Sequence, residues 1–278
     1  MKIHPTALVH PGAELDEGVE IGPFTTVGEH VRIGRGTVVM SSVVLDGWTT
    51  LGCDNVVFPG AVIGVAPQDL RYRGQRSYVR IGDRNQLREF VTIHRAADEE
   101  GHTTVGSDNL LMGYVHVAHN CEIGNQVVIA NYAGMAGHAI IEDQATLGGM
   151  CGVHQFARIG RLSMVGGLSK VTKDVPPFTI VDGQPVRIYG LNFRGLQRRG
   201  VGREARMALK RALRLLTSSG LNVGRAAEAI QEMGTPFPEV QHLVGFLKAP
   251  SRMGVLNRRA GSAAAPPGPS PEPEPAEV

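Results

Sequence analysis

Two histidines three residues apart, His116 and His119, interrupt a run of small and aliphatic residues in the segment YVHVAHNCEIG at 114–124. Cys121 follows His119 by two places, and His138, His154 and Gln155 come later in the chain. Three chemistries suit such a set. An imidazole titrates near neutrality and can take a proton from a hydroxyl group, an effect worth ~10² to 10⁴-fold in rate. Three neutral imidazoles at suitable angles can hold zinc. A thiol beside a histidine can act as a nucleophile once it has lost its proton. The competing reading is a scatter of surface histidines without a role, and it loses ground if the fold stacks them on one edge.

What positions these residues is a period. Aliphatic residues recur every six places from Ile3 to Val171, and of the 29 positions in that series only Asp69, Gln75 and Glu99 break it. A glycine often follows the aliphatic residue, as in IGPFTT, IGRGTV and IGNQVV, and is expected at corners, where it accepts positive φ cheaply. A small residue four places on, such as Thr25, Ala61, Ala133, Ala139 or Ser163, often accompanies it. A helix of 3.6 residues per turn cannot keep a period of six on one face, whereas a repeated strand and turn can. This is the hexapeptide pattern of a parallel β-helix. The sequence is similar to the left-handed members of that class, in which three hexads complete one triangular coil. The spacing itself gives the period; the coil geometry comes from that resemblance. The expected fold is therefore an all-β left-handed parallel β-helix over 1–190, a hexapeptide-repeat solenoid, followed by a small α-helical C-terminal domain over 191–255.

The coil then places the histidines. Eighteen residues beyond His119 is Gly137, with His138 next to it, and eighteen further is Gln155, with His154 beside it. His119, His138, His154 and Gln155 thus line one edge of three successive layers, with His116 just before the first. Cys121 and Cys151 fall at the small, inward fifth place of their hexads, so packing thiols are expected. A zinc site like that of the hexapeptide-repeat carbonic anhydrases has two histidines five apart, a spacing this chain lacks.

Where the period fails, loops are expected. Residues 69–80, DLRYRGQRSYVR, carry four arginines, and 97–103, ADEEGHT, form a second excursion. Extra loops on a solenoid commonly build its binding face. From Arg203 to Leu216 the spacing turns helical, with Ala205, Ala208, Leu209, Ala212 and Leu216 on one face, and shorter helices are expected at Glu228–Met233 and Glu239–Leu247. From 260 to 278 the chain is proline-rich with little to bury, which predicts disorder. The formal net charge is +2, and nine basic residues against one acid between 187 and 214 suit an acidic partner. No aromatic platform or groove-reading motif accompanies them, so nucleic acid is not expected. No apolar run approaches the ~18 to 20 residues needed for a transmembrane segment. Three cysteines without an export signal indicate a cytoplasmic chain.

The strings HVAHNC, GGMCGVHQFARIG, MVGG, DVPPF, LNFRGLQRRG, QDLRY, IGDRN, VTIHR and VGSDNLLM resemble the UDP-N-acetylglucosamine acyltransferases of lipid A biosynthesis. The similarity runs from the first hexads to about residue 250. It implies transfer of a 3-hydroxyacyl group from acyl carrier protein to the glucosamine 3-hydroxyl of UDP-N-acetylglucosamine, without a cofactor or metal, in a homotrimer with sites between subunits. By the same resemblance His119 matches the general base and the Gly137 N–H the oxyanion donor. His94, His116, His138, His154 and Gln155 match positions around the sugar, diphosphate and acyl chain, while Gln68, Asp69 and Arg71 belong to the covering loop. Asn192, Arg198 and Arg199 match nucleotide and phosphate contacts, and Gly167 the position that limits acyl length; a glycine there implies a longer chain. Three residues depart from the pattern: Asn120 stands where well-known members have Asp after the base, Arg71 where they have Lys, and Arg194 where an acid is common. A sugar acyltransferase of the same fold using coenzyme A, and a carbonic anhydrase-like zinc enzyme, are the alternative readings.

Overall fold

The computed structural model describes residues 2–257. Twenty-eight strands, most of them two residues long, form sheets of eleven, nine and eight strands. Each coil visits the nine-, eight- and eleven-stranded sheets in turn, as at His116–Val117, Glu122–Ile123 and Val128–Ile129. The result is the left-handed parallel β-helix that the hexapeptide resemblance implies, with the period of six setting its strands. In each strand of the regular coils the second residue is the aliphatic one of the hexad, and it points inward. Ile63, Ile93, Val117 and Met135 stack in register along the nine-stranded sheet and are fully buried. The small residue four places on is also inside: Thr25, Ala61, Ala133, Ala139 and Ser163 have no exposed surface. Burial of about 1.5 to 3 kcal/mol per aliphatic side chain makes this column the main source of stability.

The corners correct one expectation. Glycine after the aliphatic residue supplies positive φ at Gly64, where the first loop departs, but not along the regular coils; most left-handed corner positions are taken by other residues, among them Tyr114, Asn120, Tyr132, His138 and Phe156. The glycine is needed for closeness instead. A Cβ on Gly34 would lie 2.6 Å from the carbonyl carbon of Gly52 in the next coil, and one on Gly22 2.7 Å from that of Met40.

The two excursions lengthen single coils. Val57 pairs with Leu87 and Ile93 with Val117, steps of thirty and twenty-four residues in place of eighteen. Both loops end earlier than the sequence indicates. Tyr78–Ile81 and His102–Val105 are four-residue strands that extend the ladder begun by Trp48–Leu51. Val79 and Thr103 point into the core and are fully buried, which ties these stretches to the sheet despite their polar neighbours.

The prism ends in an antiparallel pair, Thr179–Gly183 with Val186–Leu191, followed by α1 (Phe193–Arg198), α2 (Arg203–Ser218), α3 (Val223–Glu232) and α4 (Pro238–Lys248). All five residues expected on one face of α2 are buried, with Leu213 joining them. The helices α3 and α4 occupy more of the chain than their hydrophobic spacing suggests, because Asn222 caps the first and Pro238 opens the second. The short α1 has too few turns to show a period. Asp174, fully buried, binds the Arg158 guanidinium at 2.7 Å, and that guanidinium lies over Phe246 of α4. These contacts fasten the helices to the last coils. The tail at 260–278 lies outside the described residues.

Candidate active site

The nine-stranded sheet carries an outward row made by His116, Gly134, Gly152 and Lys170, which are register partners in four successive coils. This row is the floor of a groove of about 570 Å³. Gln68, His94, His119, Gly137, His154 and Gln155 also line it. A Cβ added at Gly134 or Gly152 would meet nothing within 4 Å, so the fold does not require glycine there and the space is left open.

His119 sits at the corner between the nine- and eight-stranded sheets. Its Nδ1 lies 2.9 Å from Asn120 Oδ1. That oxygen also accepts the Ala97 N–H at 3.0 Å, while Asn120 Nδ2 donates to Asp98 Oδ2 at 2.9 Å. The amide is therefore oriented with its oxygen toward the ring, which places the proton of a neutral imidazole on Nδ1 and leaves the Nε2 lone pair free. The ring of His138 packs edge-on against His119 at 5.3 Å and stacks on Phe156 at 4.7 Å. His94 and His116 form a similar edge-on pair at 5.3 Å. His94 Nδ1 donates to the Ala66 carbonyl at 2.7 Å, and His116 Nδ1 is 2.8 Å from Thr92 Oγ1. Burial holds the pKa of both His116 and His138 below the usual imidazole value, with the neighbouring histidine adding to the effect in each case. Both rings are thus neutral at neutral pH.

Gly137 lies directly under the base. A Cβ there would be 2.4 Å from His119 Cε1 and 2.5 Å from Nε2, so any side chain would push the ring aside. The Gly137 carbonyl accepts from the Phe156 N–H at 3.1 Å, which fixes the Gly137–His138 peptide plane. The loop closes over this corner. Asp69 receives two guanidinium hydrogen bonds from Arg71, at 3.1 and 2.8 Å, and the Arg71 N–H at 2.9 Å. These bonds hold its carboxyl well below the usual range, so it is ionised, and its Oδ2 is 3.7 Å from His119 Nε2. Arg95 ties the loop down by donating to Gly64 O and Tyr72 Oη.

Asn192, Arg198 and Arg199 do not line this groove. Asn192 caps α1 by accepting the Gly195 N–H, and its Nδ2 reaches Leu162 O. Arg199 donates to Gln126 Oε1 at 2.7 Å, and Arg198 is exposed on α1. Gln126 and Leu162 stand at the corner between the eight- and eleven-stranded sheets, a different edge of the prism from that of His119. Gly167 stands at the third corner, where a Cβ would approach only Gly149, its O at 3.3 Å. Cys121 and Cys151 are buried; burial pushes their thiols up to about 12 and about 11, so neither is a nucleophile at neutral pH. Among the described residues no three His, Cys, Asp or Glu side chains are grouped so as to hold a metal ion. Lys170 carries no signal in the sequence because it occupies an ordinary outward place in its hexad. Asp98 carries none because the 97–103 excursion has no period.

A family model described as Udp N-acetylglucosamine O-acyltransferase, domain 2, matches residues 174–256, and one described as bacterial transferase hexapeptide matches 102–137. The acyl-[acyl-carrier-protein]–UDP-N-acetylglucosamine O-acyltransferase of Verminephrobacter eiseniae is 44% identical over 248 residues, covering 89% of this chain and 95% of that protein. The chain belongs to this acyltransferase family. A Synechocystis relative of the same description is 52% identical over 211 residues, 75% of each chain. Among solved structures, the Francisella novicida UDP-N-acetylglucosamine acyltransferase superposes with a TM-score of 0.90 at 37% identity, covering 93% of this chain and 95% of the other. The enzyme of Arabidopsis gives 0.81 at 32%, covering 91% and 99%. No described helix is long and apolar enough to cross a membrane.

Proposed function

We propose that this chain transfers a 3-hydroxyacyl group from acyl carrier protein to the 3-hydroxyl of UDP-N-acetylglucosamine, an early acylation of lipid A biosynthesis, with His119 as general base. The observation that carries the mechanism is the Nδ1–Asn120 hydrogen bond, which leaves Nε2 facing the groove above Gly137. Nε2 takes the proton of the sugar hydroxyl as its oxygen attacks the thioester carbonyl. Negative charge gathers on the carbonyl oxygen, and the Gly137 N–H is its donor, an interaction worth ~2.7 to 4 kcal/mol when aimed at the developing charge. Collapse of that adduct breaks the C–S bond, and the imidazolium returns its proton to the departing thiolate. No acyl-enzyme is needed, in keeping with the protonated, buried Cys121.

Gln68, His94, His116, His154 and Gln155 surround the acceptor sugar and diphosphate, and Lys170 adds a positive charge at the far end of the glycine row. His138 braces the base. Asp69 and Arg71 form the loop clasp that closes on the donor. The acyl chain runs across the open glycine floor toward the corner of Gly167, whose bare backbone admits a long chain. Asn192, Arg198 and Arg199 hold the nucleotide of a neighbouring copy's site: they stand on another edge of the same prism, so a homotrimer in the cytoplasm unites the two sets. Mass spectrometry of the product formed from UDP-N-acetylglucosamine and a series of 3-hydroxyacyl carrier proteins tests this reading. One ester-linked long 3-hydroxyacyl group supports it; no product, or equal use of acyl-coenzyme A, overturns it.

A further inference from the structure

We propose that Asp98 is a positioning residue that acts through Asn120, fixing the amide and supplying the negative charge that His119 needs when it takes a proton; the proposal rests on the reading of His119 as base. Asn120 is neutral, so the residue beside the base can orient the ring but cannot balance its positive form. The geometry provides the charge one hydrogen bond further out. Asn120 Nδ2 donates to Asp98 Oδ2 at 2.9 Å, and Asn120 Oδ1 accepts from His119 Nδ1 at 2.9 Å and from the Ala97 N–H at 3.0 Å. The Asn120 N–H is held by Thr103 Oγ1 at 2.8 Å, and its backbone is left-handed, φ 59°. A flipped amide would set Nδ2 against the Ala97 N–H and its oxygen against the Asp98 carboxylate. Two like contacts of that kind oppose the flip, so Ala97 and Asp98 together lock the ring tautomer.

When Nε2 gains the sugar proton, the Nδ1–H bond becomes charge-assisted and polarises the amide toward Asp98. The other titratable groups facing the base are Asp69, whose charge also bears on His119 but is largely offset by Arg71, and His138. Asp69 faces Nε2 at 3.7 Å, and His138 faces the ring edge as a neutral group. The Asp98 charge also favours the charged forms of Arg71 and His138, as expected of a carboxylate overlooking this corner. The excursion at 97–101 thereby carries an acid to a place that no hexad position reaches.

Three variants of the full chain test this: Asp98→Ala, Asp98→Asn, and Asp98→Ala combined with Asn120→Asp. Asp98→Ala is expected to lower kcat about five- to tenfold, with the KM for UDP-N-acetylglucosamine unchanged, because the charge acts at a distance and partly through solvent. The acid limb of its kcat/KM profile moves to lower pH, since losing a nearby carboxylate disfavours imidazolium. Asp98→Asn keeps an acceptor for the amide, so nitrogen NMR of the His119 ring shows the single Nδ1–H tautomer while the acid limb still moves. Asp98→Ala shows mixed tautomers. In the double variant the new carboxylate touches Nδ1 directly and restores kcat. Parental kcat, pH profile and tautomer in Asp98→Ala, or no recovery in the double variant, overturn the proposal. A parent chain inactive toward UDP-N-acetylglucosamine that still loses its tautomer in Asp98→Ala removes the acyltransferase reading and leaves the relay standing.

Discussion

At the scale of single residues, the site depends on how little surrounds the base. Gly137 has no side chain because the His119 ring occupies the place where its Cβ would be. Gly137→Ala is therefore expected to abolish activity as thoroughly as His119→Ala, ~10² to 10⁴-fold, while the chain stays folded. A Gly137→Ala variant with near-parental kcat and a shifted His119 ring would show that catalysis tolerates a displaced base. The cysteines give a second expectation. A thiol raised to about 12 or about 11 stays protonated up to alkaline pH, so Cys121 and Cys151 should resist iodoacetamide at pH ~8 in the native chain. Cys53, partly exposed, should be the one cysteine alkylated before denaturant is added. Modification of Cys121 under native conditions, read by peptide mass, would contradict its burial.

At the scale of elements, the strands divide their two residues between stability and function. The inward aliphatic residue builds the core, and the outward one is free to vary. Along the nine-stranded sheet that freedom appears as His116, Gly134, Gly152 and Lys170, a flat floor between two polar side chains. Because a Cβ at Gly152 meets nothing within 4 Å, Gly152→Leu should leave the thermal midpoint unchanged. It should instead obstruct the groove, shortening the preferred acyl chain or raising the donor KM at least about tenfold. A large loss of stability in that variant would mean the floor is structural. The loop from Gly64 to Ser77 shows the converse arrangement: an insertion with no period is tied to the coils by polar bonds, from Arg95 to Gly64 O and Tyr72 Oη, from His94 to Ala66 O and from Ser77 to Ala96 O, while the Asp69–Arg71 clasp shapes its turn.

At the scale of the whole molecule, the prism sorts its functional residues onto different edges. The base and its neighbours occupy one corner, whereas Arg199 and Asn192 occupy another. A single copy cannot fold one edge onto the other, since the stacked core between them is rigid. The homotrimer reading then makes a quantitative prediction for mixtures of two inactive variants. In trimers randomly mixed from equal amounts of His119→Ala and Arg199→Ala chains, about a quarter of the interfaces pair an intact base with an intact arginine, and activity should return to about that fraction. No recovery after subunit exchange would place both residues in one chain's site.

The period was legible in the residues themselves, as was the inward place of Cys121 and Cys151; three hexads to a coil came from the family resemblance, and only with that number did the ridge of His119, His138, His154 and Gln155 follow. Once the coil length is given, a repeat of fixed length converts residue number into height and edge, so these relations need no further tertiary information. The helical face of α2 was legible for the same reason. Tertiary structure alone decided where the insertions lead, because loops without a period carry no register. It showed that Tyr78 and His102 begin strands, that most left-handed corners belong to residues other than glycine, and that glycines such as Gly22 and Gly34 serve close approach. It also brought Asp98 to Asn120, a contact between residues twenty-two places apart that no spacing rule connects.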